Sequence, residues 1–210
     1  MSIPNRLESA ALLLSLEPPA WHLRHSRAVA ETAGWLAWRA ALAGTAVDRR
    51  LAEAAGLLHD VDKLPALEPA LNGLAHAEGS ARWLAERGHP ELGPAIVGHP
   101  VARLADGRWF ESWLASASPE ALIVAYADKR AGQRLEPMAG RFESWARRYP
   151  PSRPTSAETG GSWSAEAVAL VSRRALELEA RVCDMAGIEP GDVRRLEWTG
   201  RALRLARSGC

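Results

Sequence analysis

The run from Ala54 to Leu58 is apolar on every side of a helix and leads without a break into His59, Asp60, Val61, Asp62 and Lys63 (AAGLLHDVDK, residues 54–63). A helix with no polar face is buried among neighbours. A carboxylate at the end of such a helix is costly unless it is paired or bound to a cation. The same arrangement recurs at ALIVAYADKR (121–130), where seven uncharged residues lead into Asp128. The two segments predict a helix-on-helix fold with charged groups gathered in its interior. Nearby arginines and lysines could satisfy both acids, but two such acids together with inward-facing histidines suit a cation better.

Those histidines come from the helix expected over 20–43. At 100° per residue Val29, Ala33, Leu36 and Ala40 form an apolar stripe, with Arg24, Arg27 and Glu31 opposite. His25, and His22 one turn earlier, fall on or beside the stripe and are expected to point inward. A lone inward histidine is more often a hydrogen-bonded core residue than a ligand; the neighbouring acids raise the odds for His25. His76 is expected to open the helix HAEGSARWLAERG and His99 to close ELGPAIVGH, whereas His89, in Gly88-His89-Pro90, reads as a surface turn residue.

The rest of the chain fits an all-α protein. Alternating Val/Ile/Thr/Tyr runs are missing, there are only two Phe and two Tyr, and the helix formers Ala, Leu, Arg and Glu dominate. Helices are expected over 5–16, 20–43, 48–60, 76–87, 91–98, 119–133, 138–148, 164–186 and 190–206. Asp48 reads as an N-cap, Gly44 and Gly88 as helix stops, and Ser118-Pro119-Glu120 as a cap, a first-turn proline and an early acid. PPSRPTSAETGGSWS (150–164) reads as a linker or mobile loop. This divides the chain into 1–150, a linker over 151–163, and a helical extension over 164–210 packed on the first domain. With 47% hydrophobic and 24% charged residues, 210 residues suffice for a core without disulfides. Cys183 and Cys210 make no metal-type pair.

A net charge of +1 offers no global case for nucleic acid or an anionic membrane. The longest apolar stretch of the N-terminus, Ala10 to Leu14, is far short of the roughly 18 residues of a membrane span. With no signal-peptide pattern at the N-terminus, a cytoplasmic protein is expected. Of 26 basic residues only Lys63 and Lys129 are lysines, and both lie directly beside the candidate acids. A compact ammonium is not interchangeable with a guanidinium fork, so a functional role for at least one is expected.

The ordered set His25 … His59-Asp60 … Asp128 resembles the signature of the HD superfamily of metal-dependent phosphohydrolases. The flanks HSRAVAETA (25–33), LLHDVDK (57–63) and YADKR (126–130) match as well. His76 and His99 resemble the extra ligands of the subgroup that binds two metals, the dinucleoside polyphosphate hydrolase-like proteins. The resemblance covers roughly residues 20–150 and implies an all-α HD-domain helical bundle with a C-terminal helical extension. It departs at Asp62, where many relatives read HDIGK or similar with a small residue; the aspartate adds a negative charge beside the site.

The resemblance implies that Asp60 bridges two divalent transition metals, with His25, His59 and Asp128 holding one and His76 and His99 the other. Mixed nitrogen and oxygen ligands suit Mn, Fe, Co, Ni or Zn better than Ca. Two such ions about 3.5–4 Å apart can hold a hydroxide at neutral pH, placed to attack phosphorus. Lys63, one turn beyond His59-Asp60, is the first candidate for a cation facing the phosphoryl oxygens, with Arg130 and Lys129 as further substrate contacts. His22 is a candidate proton donor to the leaving group.

Trp109, Phe110 and Trp113 could stack a base, although packing at i,i+4 is the stronger expectation. The pairs Arg141-Phe142 and Arg148-Tyr149 could reach phosphates or simply be solvated. The implied activity is cleavage of a phosphoester or phosphoanhydride bond in a small phosphorylated substrate, a nucleotide or dinucleoside polyphosphate. The alternatives are a mononuclear nucleotidase, and a regulatory or RNA-binding HD module with little activity, for which the arginine-rich 194–207 offers some support.

Overall fold

The computed structural model describes residues 3–67, 71, 73–132, 135–148, 164–193 and 198–209. Ten helices follow one another among them: α1 (Arg6–Leu14), α2 (Ala20–Leu42), α3 (Arg49–Leu58), α4 (Glu78–Glu86), α5 (Gly93–Ile96), α6 (Gly107–Ser116), α7 (Pro119–Arg130), α8 (Met138–Arg148), α9 (Ala165–Ala186) and α10 (Trp198–Ser208). Single 3₁₀ turns occupy Val61–Lys63, Pro90–Leu92, Val101–Leu104 and Pro190–Asp192. No β-strand occurs among the described residues; an isolated bridge joins Ala131 to Leu135.

α2 is the central helix, with α3, α7, α9 and α10 packed around it. One hydrophobic core runs from Ala10 and Leu13 in α1 to Ala202 and Leu203 in α10. Gly56 sets the closeness of α2 and α3, because a Cβ there would lie 3.1 Å from the Ala30 Cα. His25, five residues before Ala30, and His59, three after Gly56, are brought side by side by that contact.

The caps explain why the two apolar helices deliver their acids to one level. The Asp48 side chain accepts from the Arg50 and Leu51 amides at the start of α3, and Ser118 accepts from Ala121 at the start of α7. The buried Glu120 then accepts from the Asp48 amide at 2.7 Å, so the two helices begin together. At about 1.5 Å rise per residue, the 10 to 12 residues from each cap carry His59-Asp60 and Asp128 a similar distance, roughly 15–18 Å.

Several elements differ from expectation. The segment 91–98 is a 3₁₀ turn plus one α turn, each opened by a proline. The segment 190–206 holds a 3₁₀ turn and the separate α10. α6 was not expected, since Gly, Trp, Phe and Ser are weak helix formers, but Asp106 caps it through the Trp109 amide. Glu31 is fully buried rather than solvent-facing, and its carboxylate accepts from Arg27 Nε at 2.8 Å. α10 lies over that face, with Gly200 against the Arg27 guanidinium. The expected linker over 151–163 lies outside the described residues, as do Tyr149 and residues 194–197. No helix among the described residues is long and apolar enough to cross a membrane.

Candidate metal centre

α3 ends at Leu58; His59 caps it, and Asp60 leads into the 3₁₀ turn Val61–Lys63, which carries Lys63. His25 projects from the first turns of α2 and Asp128 from the last turn of α7. His76 and His99 come from turns rather than helices: His76 lies two residues before α4, and His99 three beyond α5. His59, Asp60 and His99 are almost wholly buried and His25 nearly so.

The Asp60 carboxylate is the hub. Its Oδ1 lies 3.4 Å from His59 Nε2, 3.3 Å from His76 Nε2 and 3.1 Å from His99 Nε2. Its Oδ2 lies 3.4 Å from His25 Nε2 and 3.0 Å from Lys63 Nζ. Asp128 Oδ1 faces the first pair of rings, 3.4 Å from His25 and 3.6 Å from His59. The six residues expected from the sequence are thus brought together, with the four imidazoles around the Asp60 carboxylate and Asp128 against two of them.

The outer ring nitrogens fix what the inner ones can do. Nδ1 of His59 donates to the Gly56 carbonyl at 2.9 Å, that of His99 to Ile96 at 2.8 Å, and that of His25 to Gly132 at 3.4 Å. A carbonyl oxygen only accepts, so each Nδ1 carries the hydrogen and each Nε2 of a neutral ring presents a lone pair. Yet His25 and His59 face each other Nε2 to Nε2 at 3.1 Å, and His76 and His99 at 3.0 Å. Lone pairs at that distance repel unless a proton or a cation lies with them. Donors around an ion with bonds of about 2.0–2.2 Å stand roughly 2.9–3.6 Å apart, and the distances here fall in that range. The residues fit a metal.

The electrostatics agree. Burial alone would raise Asp60 and Asp128, but His59, Lys63 and His25 around the first, and Lys129, His25 and His59 around the second, hold both well below the usual carboxylate range. Burial pushes His99 down to about 4 in spite of Asp60, so its ring is neutral at pH 7. For His25 and His76 burial is outweighed by hydrogen bonds, to Asp128 and Asp60 and to Asp60 and Asp62 respectively, and each rises to about 9. A pKa raised from 6.5 to about 9 stabilises the folded chelated chain fully below pH 6.5, and that contribution is lost as pH rises through 9. An ion competing with those protons binds more tightly over the same rise. The melting-temperature gap between metal-loaded and chelated protein is therefore expected to widen from pH 6.5 to 9. A gap that ignores pH would place the ion on other nitrogens.

The remaining candidates have other surroundings. Lys129 is buried; its Nζ donates to the His99 carbonyl and, at 2.9 Å, to Asp128 Oδ2. It ties two cluster residues together from behind. Arg130, expected at the substrate, is engaged elsewhere: Nη1 donates to the Tyr126 hydroxyl at 2.6 Å, Glu179 Oε2 at 3.2 Å and the Pro190 carbonyl at 3.1 Å, and Nε to the Glu136 carbonyl. Tyr126 donates to the same Glu179 oxygen at 2.8 Å. The reason is that α9 packs on α7 and buries Glu179, which takes up the nearest guanidinium. Neither Tyr126 nor Glu179 was signalled by the sequence.

His22 is fully buried; Nε2 donates to the Asp60 carbonyl at 3.0 Å while Ser26 Oγ donates to Nδ1 at 3.2 Å. Both nitrogens are occupied in holding the turn that carries Asp60. His89 lies half-buried beside Glu91, at 3.9 Å. Trp109 stacks on Trp113, centroids 5.1 Å apart at 15°, and Phe110 is buried. A Cβ on Gly98 would lie 2.7 Å from Trp113 Nε1, so this stack buttresses the turn before His99. In α10 Arg201, Arg204 and Arg207 are exposed while Ala202 and Leu203 are buried, as in an ordinary amphipathic helix.

Four imidazoles and two carboxylates converging inside a helical bundle form a cluster that could hold metal ions. The sequence profile of the HD domain family matches residues 23–132, just over half of the chain, and the protein belongs to that family. HD domains are for the most part metal-dependent phosphohydrolases. No curated protein and no solved structure matches the chain.

Proposed function

We propose that this protein is a dinuclear metal-dependent phosphohydrolase that cleaves a phosphoester or phosphoanhydride bond in a small phosphorylated molecule, with a nucleotide or dinucleoside polyphosphate as substrate class. The observation that carries the reading is the close facing of imidazole Nε2 atoms, His25 with His59 and His76 with His99, around the Asp60 carboxylate. His25, His59 and Asp128 would hold one ion and His76 and His99 the other, with Asp60 shared. When bound, such ions would make a water acidic enough to supply hydroxide near neutral pH. The chain's own groups do the rest. Lys63, 29% exposed in its side chain at the rim of the cluster, places an ammonium where a phosphoryl oxygen can reach it. Lys129 and His22 hold Asp128, His99 and Asp60 in register.

The test is metal analysis of the purified protein followed by a hydrolysis screen over mono-, di- and dinucleoside phosphates. About two transition-metal ions per chain are expected, falling towards one in His76→Ala and His99→Ala. One ion per chain that neither substitution alters would favour a mononuclear nucleotidase. Activity that survives complete metal removal would overturn the reading. Salt-sensitive RNA binding without turnover would favour the regulatory alternative.

A further inference from the structure

Asp62 is the residue by which this chain departs from the HDIGK pattern, and its side chain is only 7% exposed. Its carboxylate lies within 4.8 Å of that of Asp60 and is hydrogen-bonded into the turn that bears His76. His76 Nδ1 lies 3.1 Å from Oδ1 and 3.2 Å from Oδ2, and the Ala77 amide donates to Oδ2 at 2.6 Å. The Asp62 amide in turn donates to Ser80 Oγ at 3.1 Å. The helix start comes so close that a Cβ on Gly79 would lie 2.9 Å from the Asp62 Cβ.

Ala77 adopts φ 75°, ψ −30°, a conformation that costs energy for any residue with a Cβ and persists only where surroundings hold it. Asp62 holds it by capturing the Ala77 N–H, and the same carboxylate takes the His76 Nδ1–H. The ring is thereby aimed with Nε2 towards Asp60 Oδ1 and His99 Nε2.

We propose that Asp62 is a positioning residue for the second ion: it fixes His76 as the Nδ1–H tautomer and locks the strained turn that points its Nε2 into the centre. The inference rests on the dinuclear reading for its consequence but not for its geometry. Unlike the other three imidazoles, whose Nδ1 atoms donate to backbone carbonyls, His76 donates to a carboxylate, which raises the basicity of the coordinating nitrogen. Asp60, Asp62 and His76 could also together ligate an ion. In that case Asp62 would be a ligand itself, and its two present hydrogen bonds would have to open.

Two measurements decide between these roles. In chelated protein above pH 9, long-range ¹H–¹⁵N correlation is expected to show His76 as Nδ1–H, and Asp62→Ala to move it to the Nε2–H form that free imidazoles prefer. In calorimetric titration with Zn²⁺, Asp62→Ala is expected to weaken the second ion about 10–100-fold and leave the first unchanged. Asp62→Asn, which keeps the shape and one acceptor oxygen, should fall between Asp62→Ala and the native chain, and it serves if the alanine variant does not fold. An Nε2–H His76 in the native chain, or second-ion affinity unmoved in both variants, overturns the proposal. So does complete loss of the second ion with the tautomer unchanged, which would make Asp62 a ligand. If the native chain takes up only one ion, the dinuclear reading fails on its own, and the tautomer comparison still decides the role of Asp62.

Discussion

Asp60→Ala is expected to reduce hydrolysis by more than ~10³-fold and to empty the centre of metal, while far-UV circular dichroism stays close to native. The carboxylate contacts all four clustered imidazoles and Lys63 Nζ, so its removal takes a donor from both proposed ions at once. Breaking a buried pair often costs about 3–5 kcal/mol, because the surviving charge is stranded. Here the surviving partners are mostly imidazoles, which can shed a proton and become neutral. The cost to folding should therefore lie below that range, and the melting temperature of the chelated variant should drop only modestly. The decisive comparison is metal content against helical content in the same preparation. A variant that turns over normally would remove Asp60 from the site. One that loses its helices would make the residue structural.

Lys63→Ala should lower kcat/KM by about 10²–10³-fold, or roughly 3–4 kcal/mol, the usual effect of deleting one electrostatic donor to a developing phosphoryl charge. Metal content should survive, because an ammonium is not a ligand. Lys63→Arg is the more informative substitution: charge remains, but a planar fork does not sit where a compact ammonium does, and only partial rescue is expected. The competing idea is that Lys63 merely neutralises the neighbouring Asp62. The structure pairs it with Asp60, at 3.0 Å. A role confined to charge balance would leave Lys63→Arg fully active and would show in Lys63→Ala as weaker metal binding rather than slower turnover. Single-turnover rates at saturating metal separate the two.

Much of this was legible in one dimension because burial leaves a strong mark. AAGLL and ALIVAYA have no polar side to show to water, so they had to be interior helices, and an acid at the end of each had to meet a cation. Chain order and flanks then picked His25, His59, Asp60 and Asp128 from among the six histidines and the many acids. The near-absence of lysine singled out Lys63 and Lys129 for the same kind of reason, since composition made the exceptions conspicuous.

Other assignments depended on what lies across a space, which local sequence does not encode. Arg130 read as a substrate contact because it follows Asp128, yet α9 places Glu179 beside it from 49 residues away. Glu31 read as solvated because nothing in α2 foretells that α10 will cover that face. His22 and His25 occupy adjacent turns of one helix and look alike in sequence. One donates to the Asp60 carbonyl and the other presents Nε2 to His59, a difference set by where the α3 turn ends. Asp62 read as an extra charge beside the phosphate site, and only the fold showed it turned into the His76 turn. The sequence by itself determined the helical class, the buried acids and the identity of the clustered residues, because hydrophobic periodicity and the cost of burying charge act along a single segment. Which nitrogen of each imidazole faces inward, and which charged side chains are taken up by packing, was decided by tertiary structure, because hydrogen-bond partners are chosen by proximity in space and not by distance along the chain.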